Sequence, residues 1–353
     1  MWTDANKNQM KTVAVEAKQQ ARATVVDEPR AKDHWVVVKV HAAPMCTEYK
    51  AFASGANHGF FGHEAAGEVV AVAQPGKVKV GDRVVAMPMS PCGRCAYCLA
   101  GEYIHCQDLI DFEAYHGSDA GKATMSQYLL KQDWMLAPIP DGMSYEHASM
   151  ACCGLGPTFG AFQLMALDAH DTLLITGLGP VGLGGVIGAR YRGARVIGVD
   201  VNRYRAAKAL ELGADAVIDP TDEDALAQIL ALTSDGRGVD KSVDCSGVVA
   251  AHRLCIDASR RKGMVAFVGE CADDTPVKIS QDMIRKGLRL IGSWHYNLGD
   301  TPRMMAMISR VGDKLDQLIT HRFPIDDIQS AWETQVSGQC GKVILQPWEG
   351  SDV

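Results

Sequence analysis

Two patterns of hydrophobic and polar positions divide the chain. Up to about residue 150, short β-branched runs at 35–40, 68–72 and 82–86 are separated by Gly and Pro turns, which predicts a β-rich domain. From Gly154 the pattern changes, and strand-like runs at 172–176, 195–200, 216–218, 241–245, 264–268 and 288–292 alternate with helical stretches. Strand, helix and strand repeated in this way predict a parallel, doubly wound α/β sheet. The remaining residues return to mixed helix and strand and end in an apolar run at 341–345. The expected organisation is therefore 1–155, then 156–296, then a return segment 297–353. Met304, Met305 and Met307 have helical spacing and are expected in a core, whereas Arg260, Arg261 and Lys262 are expected at a solvated helix end. No internal repeat or low-complexity tract interrupts the pattern.

Composition narrows the class. With 353 residues, 47% of them hydrophobic and 22% charged, the chain has the balance of a folded globular protein of about two domains. A net charge of −7 argues against a nucleic-acid or anionic-membrane partner, both of which select cationic faces. No window approaches the ~18 uninterrupted apolar residues of a spanning helix. The segment from Met1 to Lys11 is polar and unlike a signal peptide, so a cytoplasmic location is expected. Eleven cysteines are then poorly explained by disulfides, which a reducing compartment disfavours, and metal-binding thiols are the better expectation.

Four of those cysteines form one unit. Cys92, Cys95, Cys98 and Cys106 read C-x2-C-x2-C-x7-C on a Gly-rich loop (92–106). Two-residue gaps let successive thiolates converge on one ion, and four sulfurs fill a tetrahedral shell with no place left for water, which describes a structural zinc. An iron–sulfur cluster is the chemical rival, although its usual spacings differ. A second motif follows the apolar run at 172–176: Gly177-Leu178-Gly179-Pro180-Val181-Gly182 is G-x-G-x-x-G, placed between a strand and a helix. Gly177 suits a tight turn, Gly179 the close approach of a pyrophosphate, and Gly182 the packing of helix on strand. Pro180 and Val181 open that helix, whose N-terminus offers oriented N–H groups to phosphates. Asp200 closes the next strand, where a carboxylate would meet an adenosine ribose and repel a 2′-phosphate. NAD is thus expected over NADP, with Arg203 and Arg205 nearby as opposing charges.

Gly62-His63-Glu64-Ala65-Ala66-Gly67, with Cys46 before it and Cys153 after it, completes a set. In this order the motifs resemble the zinc-containing medium-chain alcohol/polyol dehydrogenases along nearly the whole chain. The resemblance implies a GroES-like β-rich catalytic domain carrying an inserted Rossmann domain. It implies a catalytic zinc held by Cys46, His63 and Cys153, with Glu64 as an alternative ligand and Cys152 as a near-neighbour rival to Cys153. It also implies two zinc ions per chain, NAD as hydride acceptor, a small-molecule alcohol as substrate and an assembly of identical chains.

The chain departs from the family pattern after the first ligand, where it reads Cys46-Thr47-Glu48-Tyr49. Aligned without a gap, Glu48 stands where relatives carry the hydroxyl of a proton relay. With one residue deleted, Thr47 is that relay and Glu48 the carboxylate behind the metal ligands, a placement that keeps both residue types. Glu48 is thus expected either to take a proton or to orient His63. The interval from Cys46 to His63, which includes His58, is short for the family. Trp294-His295-Tyr296-Asn297 resembles a polar and aromatic stretch of polyol dehydrogenases, and the same residues would equally suit a core or an interface. The expected activity is oxidation of a secondary alcohol, a polyol or cyclitol. Oxidation of a simple alcohol or of threonine is the alternative within the class, and a non-catalytic NAD(H) sensor the alternative outside it.

Overall fold

A computed structural model describes residues 8–56 and 59–349. His58 and most of the polar segment before Lys11 lie outside the described residues. The chain divides into two compact units. The first comprises 1–152, 297–309 and 319–353, and the second 153–296 with 310–318.

The first unit begins with a hairpin, β1 (Gln9–Ala17) and β2 (Gln20–Asp27). Then come β3 (Trp35–Pro44), β4 (Ala65–Ala71), β5 (Arg83–Ala86), β6 (Tyr128–Gln132) and β7 (Leu136–Pro138). These pair antiparallel about β3 and β4. β3 is almost wholly buried, so its uninterrupted Val run is that of a strand covered on both faces. The short helices Tyr49–Ser54 and Tyr145–Ser149 flank the sheet, and Ser144 caps the latter by accepting from His147 N at 3.1 Å.

In the second unit, β8 (Thr172–Thr176), β9 (Arg195–Val199), β10 (Ala216–Ile218), β11 (Val239–Asp244), β12 (Ser259–Phe267) and β13 (Arg289–Gly292) form one sheet. Its strand order is β10-β9-β8-β11-β12-β13, all parallel. The order reverses between β8 and β11, the topological switch point at which doubly wound sheets bind ligands beyond the carboxyl ends of their strands. The chain then returns to the first unit as β14 (Ile319–Pro324) and β15 (Lys342–Gln346), and β15 pairs with β3.

Three features differ from the sequence expectation. The β1–β2 hairpin has no glycine in its tight turn, which instead places Gln19 at a φ of 57°. Arg260, Arg261 and Lys262 lie in β12, not at a helix end, because the preceding helix stops at Ala258. The helix Gly312–Leu318 packs with the second unit, where its Leu315 and Leu318 are buried, although it lies within the segment read as the return. Met304, Met305 and Met307 are buried on the helix Thr301–Arg310, as their spacing predicts. Among the described residues, no helix is long and apolar enough to cross a membrane.

Candidate active site

The four-cysteine loop folds as a knuckle carrying the one-turn helix Ala96–Leu99. All four sulfurs lie within 4.8 Å of one another. Cys95 and Cys98 Sγ are 3.5 Å apart, and Cys92 and Cys98 Sγ 4.0 Å. These distances bracket the ~3.8 Å edge of a tetrahedron with zinc–sulfur bonds of about 2.3 Å, and they are far beyond the ~2.05 Å of a disulfide. Backbone N–H groups already favour charge on two of the sulfurs. Those of Arg94 and Cys95 lower Cys92, and those directed at Cys95 bring it down to about 6. Burial raises Cys98 and Cys106, so a cation is what makes all four thiolates favourable together. The knuckle fits a closed zinc site.

A second donor set is built from separate segments. Donor atoms of Cys46, His63, Glu64 and Cys153 lie within 4.8 Å of one another. Cys46 follows β3, while His63 and Glu64 immediately precede β4. Cys153 comes directly after Cys152, the last residue of the first unit. Its neighbour Cys152 is fully buried and directs its sulfur at Ala86 O, 3.5 Å away, so Cys153 is the cysteine in the donor set. Two sulfurs, an imidazole and a carboxylate form a borderline-soft set suited to zinc.

Two carboxylates behind this set have different tasks. Glu48 Oε1 lies 2.6 Å from His63 Nδ1, and its Oε2 accepts from Cys46 N at 3.1 Å. The carboxylate therefore fixes the imidazole with Nδ1 turned away from the other donors, the arrangement by which outer carboxylates orient metal-ligating histidines. Burial lowers the His63 pKa, but Cys46 and Glu48 outweigh it and raise it to about 11. In the metal-free protein this interaction stabilises the fold fully below about 6.5, the ordinary histidine value, and is lost as pH rises through about 11. Zinc must displace that proton on binding.

Glu64 has no exposure and pairs with Lys342 on β15, equally buried, at 2.7 Å. Burial raises the Glu64 carboxyl to about 7 despite the lysine. Thr47 is exposed, and its carbonyl accepts from Lys50 N. Because both Glu48 oxygens face groups of the metal set, Glu48→Gln is expected to weaken zinc affinity about 10- to 100-fold. It should lower turnover without changing the shape of the pH–rate profile. Zinc titration and a pH series check this, and a lost ionisation in the profile would assign Glu48 a proton-transfer role instead.

In the second unit the glycine turn joins β8 to the helix Pro180–Tyr191. Each glycine meets a separate demand. Gly177 has a φ of +79°, and a Cβ on Gly182 would lie 1.9 Å from Gly177 O. Gly179 caps the helix, and a Cβ there would meet nothing within 4 Å, which leaves a cradle open in front of the helix N-terminus. Pro180 and Val181 form its first turn. Asp200 Oδ2 accepts from Leu178 N at 2.7 Å and Oδ1 from Asn202 N at 2.8 Å, so this carboxylate also ties the turn to the end of β9. Asn202 caps the helix Arg203–Leu212 by accepting from Arg205 N, which places Arg205 in the turn of helix next to Asp200. These residues fit a dinucleotide.

The stretch from Trp294 to Asn297 does not form one polar pocket. Asn297 Nδ2 donates to Ala100 O at 2.8 Å and to Glu102 Oε1 at 2.7 Å, and its Oδ1 accepts from Gly299 N at 2.8 Å. Asn297 thus clamps the zinc knuckle, pressed against Gly101. His295 and Tyr296 are buried and stacked on each other, and Trp294 is largely exposed. Lys342 and Asn297 in these roles were not legible in the sequence, because their partners are remote in the chain and no local motif marks them.

Comparison with known proteins agrees with this geometry. Residues 32–141 match the alcohol dehydrogenase GroES-like domain, and residues 180–310 match the zinc-binding dehydrogenase domain. The D-arabitol-phosphate dehydrogenase of Enterococcus avium is 32% identical over 90% of this chain and 91% of its own. The L-threonine 3-dehydrogenase of Photorhabdus laumondii is 33% identical over 82% of each. Among solved structures, an alcohol dehydrogenase from Thermus sp. ATN1 superposes with a TM-score of 0.84 at 24% identity, covering 96% of this chain and 99% of that one. With both domain matches in sequence order, the chain belongs to the zinc-containing medium-chain alcohol/polyol dehydrogenases.

Proposed function

We propose that this chain oxidises a secondary hydroxyl of a small polyol with NAD as hydride acceptor. The observation that carries the proposal is the donor set of Cys46, His63 and Cys153, with His63 braced by Glu48. Zinc in that set would supply a Lewis acid that eases loss of a hydroxyl proton, and NAD would take the hydride from the carbon that bears it. The chain's own residues then position and transfer. Backbone N–H groups at the start of the helix Pro180–Tyr191 bind pyrophosphate above Gly179. Asp200 keeps acceptor capacity for the two ribose hydroxyls. Glu48 holds the imidazole in one tautomer, and the exposed Thr47 hydroxyl passes the substrate proton to solvent.

The polyol class is supported by the relative named for arabitol phosphate. The relative named for threonine supports a hydroxy-amino acid as the second reading. Assembly of identical chains in the cytoplasm belongs to the same proposal and follows the family resemblance.

The test is NADH formation with linear polyols, their phosphates, cyclitols, simple alcohols and threonine. The highest kcat/KM on a polyol or polyol phosphate is expected, and turnover of threonine alone would replace the substrate class. Asp200→Ala is expected to lower kcat/KM for NAD about 10-fold or more while leaving NADP nearly unchanged, so that the preference collapses. An unchanged ratio between the two coenzymes would remove Asp200 from ribose recognition.

A further inference from the structure

Asp244 is the last residue of β11 and stands opposite Thr176, the last of β8, across the switch point of the parallel sheet. Its carboxylate has no solvent exposure and faces no lysine or arginine among the contacts made by the described residues. Instead it gathers donors from three directions. Oδ1 accepts from Thr176 Oγ1 at 2.8 Å, Ser246 Oγ at 2.6 Å and Ser246 N at 3.2 Å. Oδ2 accepts from Gly247 N at 2.9 Å and lies 3.1 Å from His252 Nε2. The buried His252 in turn places Nδ1 2.6 Å from Thr275 Oγ1, in the loop that leaves β12. Asp244 O accepts from Val268 N and Gly269 N in that same loop.

The glycines around this knot leave no slack. A Cβ on Gly247 would lie 2.1 Å from Glu270 O, and one on Gly269 would lie 2.3 Å from Gly247 N. A buried carboxylate is costly unless fully hydrogen-bonded, and here the bonds are spent on the end of β8 and on the segments that follow β11 and β12. In a doubly wound sheet each half takes one mononucleotide. The half β8–β10 carries the glycine turn and Asp200, which suit the adenosine side. The loops gripped by Asp244 and His252 belong to the other half. The glycine turn has its own clip, from Leu178 N to Asp200, and the knot meets it on the Oδ1 side alone, through Thr176 and through Ser246 packed against Gly177, whereas His252 holds the other oxygen.

We propose that Asp244 and His252 are positioning residues for the nicotinamide half of the dinucleotide, holding the loops after β11 and β12 in the shape that receives it. This rests on the dinucleotide reading given above. The test measures binding, not turnover: titrations of the zinc-loaded protein with NADH and with ADP, which carries only the adenosine side and the diphosphate. His252→Phe removes the donor to Asp244 at similar volume, and His252→Gln keeps an N–H for it. His252→Phe is expected to weaken NADH about tenfold or more and to leave ADP within about twofold, while His252→Gln retains most of the NADH affinity. Asp244→Asn should give the same selective loss. If the buried change at Asp244 prevents folding, Thr275→Val, which removes only the distal partner of His252, should give a smaller loss of the same selectivity. Equal weakening of NADH and ADP, or unaltered NADH affinity in His252→Phe, overturns the proposal. A folded wild-type protein that binds neither ligand overturns it together with the dinucleotide reading.

Discussion

Replacing Cys153 with alanine is expected to abolish turnover and remove one zinc ion per chain. With Cys46, His63 and the Glu64 carboxylate left, the metal loses a strong anionic donor, and the several kcal/mol that a Lewis acid contributes correspond to about 1,000-fold in rate or more. The neighbouring cysteine supplies the control. Cys152 is buried against Ala86 and its sulfur is outside the donor set, so Cys152→Ala is expected to keep both zinc ions and turnover within about twofold. Metal content by mass spectrometry and initial rates of NADH formation decide between the two. The reverse pattern, with activity following Cys152, would displace Cys153 from the ligand set.

Lys342→Met is expected to be among the most destabilising single changes in the first unit. Glu64 and Lys342 are both without solvent exposure, and removing one partner of such a pair strands the other charge at a cost of about 3–5 kcal/mol. Glu64 escapes part of that cost by taking up a proton. Its carboxyl already stands at about 7 through burial, above the ordinary carboxylate value, with Lys342 pulling it down. A carboxyl raised in the folded state is best tolerated below about 4.5, its ordinary value, and becomes unfavourable as pH rises through the folded value. The loss of stability in Lys342→Met should therefore be larger at pH 8.5 than at pH 6. Adding Glu64→Gln removes the stranded charge, so the double variant should recover most of the loss and show little dependence on pH. Thermal denaturation of metal-free protein at the two pH values measures this, and a pH-independent loss equal in single and double variants would contradict the assignment.

The sequence discloses unevenly what these residues do, and the reason is distance along the chain. The knuckle was legible because all four ligands lie within one short loop, and the sulfur spacing alone states the coordination number. Most of the six parallel strands were legible because strands covered on both faces become nearly continuous apolar runs, whereas β11, with Asp240, Lys241, Ser242 and Asp244, was legible from its place in the alternation of strands and helices. The glycine turn and Asp200 were legible together, since one strand and one helix separate them. By contrast, Cys46, His63 and Cys153 sit on three segments, and only the resemblance to a family placed them on one metal. Glu48 has two open roles in the sequence, and the position of its two oxygens against His63 and Cys46 N favours the orienting one.

The Glu64–Lys342 pair left no trace in the pattern, because it joins strands that enter the sheet from opposite ends of the chain. Asp244, His252, Thr176 and Thr275 are ordinary residues at strand ends and in loops until the parallel register brings them together. The stretch around Asn297 stayed open between a pocket and a core for a related reason. A polar residue among aromatics suggests a pocket, whereas the fold spends its amide on the carbonyl of Ala100 and on Glu102. The unforeseen hairpin at the start of the first unit lacks the glycine or asparagine that usually marks so tight a turn.

Turnover is expected to depend on one of two protein-held zinc ions. This dependence is tested most directly by removing metal stepwise with a chelator and following zinc content and NADH formation in the same sample. About two zinc ions per chain are expected at the start, with activity that falls in proportion to the loss of one of them. Activity should return on adding zinc, while the knuckle retains the other ion. Full NADH formation by protein stripped of both ions would contradict this dependence.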